Sequence, residues 1–117
     1  MRVYVYFNLH KHLWSVRALE GPRKGRVIAH LGHLELADCV FRVSEAGRQR
    51  VLRERCKNVH AGIVGHLVSE PDEGATPRRL TYNPYLYDSF IDVDTKEPLQ
   101  KAGRVAFGFK EVRYSPA

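Results

Sequence analysis

HLELADCVFRV, residues 33–43, decides how this chain folds. Leu34 and Leu36 alternate as one face of a strand should, and so do Cys39, Phe41 and Val43, but the two sets have opposite parity. Successive side chains of a strand point to opposite faces, so an uninterrupted strand would leave one set in water. One extra residue near Ala37 and Asp38, a β-bulge, brings both sets to the same side. The stretch therefore predicts a bent strand with one apolar face.

Immediately downstream, Ser44 is a good helix N-cap with Glu45 in the first turn, and a central helix is expected over about 45–56 with Asn58 as its stop. NVHAGIVGHLV, residues 58–68, then alternates like a strand. Upstream, RVYVYF (2–7) and LWSVRAL (13–19) form a hairpin pattern, and RVIAH (26–30) follows the glycine-flanked turn EGPRKG. SEPDEGATPRR, residues 69–79, reads as a mobile loop. Short strands are expected in RLTY and SFIDV, with a last strand or hairpin in GRVAFGFKEVRYS.

The expected architecture is a single α+β domain over residues 1–117, a mostly antiparallel twisted sheet of about six strands packed by one central helix. An internal echo links YFN (6–8), Trp14 and GRVIA (25–29) to TYN (81–83), Phe90 and GRVAF (103–107). Recurring hairpins in a strand-rich chain account for it without duplication; were it real, two related β units would flank the helix.

With 117 residues and 44% apolar content, the chain has material for a core without metals or disulfides. Cys39 and Cys56 lack metal or redox spacing and are expected as small hydrophobic fillers. The first residues hold an apolar run too short for a signal peptide or a spanning helix, which points to a cytoplasmic, non-membrane protein. The net charge is +6, and it is uneven: residues 1–57 carry 12 Lys/Arg against 5 Asp/Glu, whereas residues 58–117 carry 7 against 8. Such asymmetry points to a phosphate-bearing or acidic partner.

The densest positive stretch is the helix. On a wheel at 100° per residue, Val51 and Leu52 make a narrow apolar stripe with Arg48 and Arg55 between them. Those two arginines must reach carboxylates, water or a bound anion. Arg50, Arg53 and Lys57 lie on the other side, where they suit phosphate contacts or, more simply, a solvated face with a weak Arg50–Glu54 pair. Arg23, Lys24 and Arg26 in the glycine-flanked turn add to the candidates, with Tyr82, Tyr85 and Tyr87 as possible stacking groups.

Six histidines, in no set with zinc-site spacing, give no reason to expect a metal, and no cofactor motif is present. If the protein is an enzyme, His60 or His66 beside Arg48 or Arg55 suits metal-independent phosphodiester cleavage. Ordinary sheet-edge histidines are the simpler reading.

VYFNLHKHLWSVRA, GRVIAH, VSEAGRQRVLRERCKNVHA and YNPYLYDSF together resemble small uncharacterised proteins of bacteriophage and prophage genomes. The resemblance spans most of the chain and implies a bacterial host and a mobile genetic element, but it carries over no functional residues. The expected function is non-enzymatic binding of nucleic acid or a nucleoprotein through Arg48, Arg50, Arg53, Arg55 and Lys57, helped by Arg23, Lys24 and Arg26. The alternatives are an anti-defence or regulatory protein that binds a host protein, and a small nuclease or toxin.

Overall fold

A computed structural model describes residues 1–69, 78–109 and 111–116. The described residues form an α+β fold: one large, twisted antiparallel sheet packed by a single helix. The strands in chain order are β1 (Arg2–Asn8), β2 (Leu13–Ala18), β3 (Val27–Leu31), β4 (Leu34–Val43), β5 (Ala61–Val68), β6 (Arg78–Thr81), β7 (Phe90–Asp92), β8 (Pro98–Leu99), β9 (Lys101–Phe107) and β10 (Val112–Ser115); helix α1 (Glu45–Glu54) lies between β4 and β5. The sheet has ten strands where the pattern suggested about six. The excess comes from short edge strands such as β8 and from β9 and β10, which separate at Gly108 into a hairpin. Of the loop expected at 69–79, residues 70–77 lie outside the described residues, and Arg78 and Arg79 belong to β6.

The bulge falls where the phase switch required it. The β4–β5 register shifts between Ala37 and Val40, and Asp38 takes the left-handed conformation with φ 52°. Leu36, Cys39 and Phe41 consequently all reach the core. Aspartate tolerates that backbone better than most residues because its short polar side chain can bond locally.

The helix starts as expected: the Ser44 hydroxyl accepts a hydrogen bond from the Gly47 amide at 3.2 Å. It stops earlier than Asn58. Arg55 closes it in the left-handed conformation, φ 52°, with its amide bonded to the Val51 carbonyl. Arg55 is thus a C-cap rather than part of the helical stripe. Gly47 is required by closeness, because a Cβ there would stand 2.7 Å from the His60 Cβ.

Sheet order is β3-β2-β1-β5-β4-β9-β10-β6-β7-β8. Shifting each strand label by five turns the first half, 3-2-1-5-4, into the second, 8-7-6-10-9, so two five-stranded units meet back to back at the antiparallel β4–β9 pair. The registers agree: Val5 faces Ile63 and Val16 in one unit as Leu80 faces Val112 and Asp92 in the other. Asn8 then closes the first strand of its unit, and Asn83 occupies the equivalent place two residues beyond the end of β6. Each caps a turn, its side chain accepting from the amide two residues on and its carbonyl from the amide four residues on. The YFN/TYN and Trp14/Phe90 echoes therefore mark equivalent positions. GRVIA and GRVAF do not correspond, since one lies on β3 and the other on β9. Nor does the helix separate the units; it is an insertion between β4 and β5, whose counterparts β9 and β10 connect within residues 108–111.

The sheet curls until its halves touch. Trp14 on β2 meets Phe107 on β9 with ring centroids 4.9 Å apart, and Phe41 on β4 meets Phe90 on β7 at 5.2 Å. A single core, including Val3, Val5, Ile63, Leu80, Val105 and Tyr114, runs across both units.

Candidate functional site

The register places the candidate residues at two ends of the sheet. β4 delivers Val43 opposite Ala61 at one end, where α1 and the two asparagine-capped turns gather, while the 19–26 turn and His66 lie toward the other, beside Arg2 and Leu19. Arg23, Lys24 and Arg26, all exposed, are therefore separated by the strand length from Arg50, Arg53, Arg55 and Lys57.

Arg48 is the arginine that the apolar stripe left unexplained. Its Nε donates to the Pro84 carbonyl at 3.1 Å and the Tyr87 carbonyl at 3.0 Å, and its Nη1 pairs with Glu45 at 3.1 Å. The side chain is only 16% exposed, so this guanidinium fastens the helix to the 83–87 turn. Arg50 pairs with Glu54 at 3.1 Å on the solvent side, as the i,i+4 spacing anticipates. Among the described residues, Arg53, Arg55 and Lys57 are exposed and hold no ion pair.

His60 precedes β5 rather than sharing its face with His66. Its Nδ1 lies 2.9 Å from the Asn58 carbonyl and its Nε2 2.6 Å from the Tyr82 hydroxyl. The Asn58 carbonyl can only accept, so Nδ1 donates to it, and Nε2 is left to the Tyr82 hydroxyl, whose phenol burial pushes up to about 12. Both nitrogens are thus engaged in joining the β5 entry to the Tyr82 turn. His66 stands roughly 20 Å along the strand, at about 3.3 Å per residue. The two histidines do not share a site. Among the described residues, no three His, Cys, Asp or Glu side chains converge as metal ligands, and no helix is long and apolar enough to cross a membrane. Cys39 is buried, and desolvation pushes its thiol up to about 12, consistent with a filler. Cys56 is half-buried.

The sheet's outer face holds a group that strand pairing, not sequence proximity, brings together. Val3 and Val5 point into the core, so Tyr4 and Tyr6 point outward from β1, and Arg17 projects beside them from the paired strand β2. Its guanidinium carbon lies 5.9 Å from the Tyr4 ring centroid and 5.6 Å from that of Tyr6, while the two rings are 5.9 Å apart. Gly62 makes room for this: a Cβ there would come within 2.5 Å of the Tyr4 ring. Burial raises the Tyr4 phenol above its ordinary range, against the pull of Arg17 and Arg42. A groove bordered by Tyr4, Arg17, Arg42 and Ser44 runs from the Tyr4 ring to the start of α1. Among the described residues, neither Arg17 nor Arg42 has a carboxylate within ion-pair distance. The Tyr4/Tyr6 alternation was a usable signal, but the position of Arg17 beside it depends on the hairpin register.

No solved structure matches the chain. Gene 82 protein of Mycobacterium phage L5 is 45% identical over 119 residues, covering 97% of this chain and 94% of that protein. The Mycobacterium phage L5 gene 82 protein family matches residues 1–115, and the chain belongs to that family.

Proposed function

We propose that this phage-family protein binds single-stranded nucleic acid on the outer face of its sheet, with Tyr4 and Tyr6 as stacking groups and Arg17 and Arg42 as phosphate or base-plane contacts. The observation that carries this reading is the placement of one guanidinium against two neighbouring, half-buried tyrosine rings on a face open to solvent. Aromatic side chains on a sheet stack unpaired bases, and arginine supplies both charge and a planar surface. Arg53, Arg55 and Lys57 lie at the sheet end to which the groove leads and extend the positive track. Arg48 serves the fold in this scheme.

Fluorescence anisotropy with a labelled single-stranded oligonucleotide tests it. Affinity is expected to fall steeply as salt rises, because phosphate binding releases counterions. Arg17→Glu with Arg42→Glu is expected to lower affinity at least tenfold with an unchanged circular dichroism spectrum. A flat salt response, or full affinity in the double variant, would overturn the proposal.

A second reading, capture of an acidic host protein, is favoured by a different observation: Leu9, Val59, Tyr85 and Leu86 are exposed at the helix end beside Arg55 and Lys57. A positive rim around apolar groups suits an acidic protein surface. A partner that stays bound through nuclease treatment, and is lost when Leu9 and Tyr85 are replaced by serine, would support this reading over the first.

A further inference from the structure

A second site lies inside the curl, away from the outer face. A cleft of about 550 Å³ opens between the units, floored by Val5, Ile63, Leu80 and Phe107. Its walls are the two equivalent aromatic pairs of the repeat. Phe7 and Trp14 have centroids 5.1 Å apart on one side, and Tyr82 and Phe90 have centroids 5.2 Å apart on the other. The volume falls within the range of small-ligand pockets, roughly 300–1,000 Å³.

Polar groups at the border decide what chemistry it accepts. The Trp14 indole N–H donates to the Gly108 carbonyl at 3.0 Å, and the Tyr82 hydroxyl is held by His60. Arg79 pairs with Asp94 and Glu111 with Arg113, each at 2.9 Å. The aromatic tips and the charges beside the cleft are thus already matched within the protein. A charged or hydrogen-bonding ligand would have to break one of these pairs or lose its own hydration. Ring faces and aliphatic groups remain, and they favour a flat, neutral ring held by stacking and dispersion.

We infer that this inter-unit cleft binds a small, neutral aromatic molecule between the Phe7–Trp14 and Tyr82–Phe90 pairs. Trp14 is the only tryptophan in the chain and reports directly on occupancy. Titration with the neutral dye N-phenyl-1-naphthylamine is expected to give saturable one-to-one binding, with energy transfer from Trp14. Ala61→Phe, which adds a ring to the lining, is expected to weaken dye binding at least tenfold while the circular dichroism spectrum is kept. Naphthalene is expected to displace the dye more effectively than dodecanol. Non-saturable uptake, undiminished binding in a folded A61F variant, or stronger displacement by dodecanol would overturn the inference. If A61F does not fold, nuclear Overhauser contacts between the dye and the Trp14 indole in the unaltered protein decide it, their presence supporting the site and their absence refuting it.

Discussion

Two charged residues in this protein act through what surrounds them rather than through their charge alone. Arg48 lies against the apolar stripe of α1 because Pro84 and Tyr87 offer it carbonyls and Glu45 a carboxylate. Arg48→Ala removes a charged donor from two backbone acceptors and is expected to cost roughly 1.5–3 kcal/mol. Urea unfolding measures this, and Arg48→Lys is expected to recover only part of the loss, since an ammonium lacks the fork of donors. Asp92 is almost fully buried, yet the Tyr114 hydroxyl, the Thr95 and Asp94 amides and the Arg78 guanidinium hold its carboxyl down to about 2, outweighing the opposing effect of burial. Its folded pKa is below the ordinary 3.8, so the stabilisation is complete above about pH 4 and is lost as pH falls toward 2. Urea midpoints are expected to drop between pH 4 and pH 2, and Asp92→Asn to start lower at pH 6 and change less over that interval. An identical acid dependence in the variant would refute this role.

At the scale of elements, β4 and α1 show how far a local pattern reaches. The parity switch in residues 34–43 demanded a bulge near Ala37 and Asp38, and β4 has it there, because both apolar sets gain from the same core. Asp38→Val would put a β-branched residue where the bulge needs the left-handed backbone, and a strand of the same length without the bulge would turn Cys39, Phe41 and Val43 outward. That variant is expected to lose its cooperative thermal transition, followed by circular dichroism, whereas Asp38→Gly is expected to fold, since glycine accepts the left-handed backbone. Ser44 and Glu45 located the helix start through local hydrogen bonding and charge. Its end was less legible, because Arg55 is a C-cap by conformation and its residue type does not announce one.

For the molecule as a whole, the decisive feature is two five-stranded units sharing one core across β4 and β9. Since the core is continuous, both units are expected to melt together. Trp14 fluorescence reports the first unit, and a Phe90→Trp probe in a Trp14→Phe background reports the second; coincident midpoints are expected, and two separated transitions would contradict it.

What the amino-acid order determined by itself was local: strand alternation, the bulge, the Ser44 cap, the Arg50–Glu54 pair and the α+β class all follow from periods and spacings within a few residues. The strand-like segments were legible one by one, but nothing in them states which strands become neighbours. Only the tertiary structure decided that. Pairing brought Arg17 beside Tyr4 and Tyr6, gave Arg48 its carbonyls 36 and 39 residues away, and parted Arg23, Lys24 and Arg26 from the helix. It also turned a faint echo into two equivalent units, because a two-fold arrangement resides in strand order and register, which side-chain identity constrains only weakly.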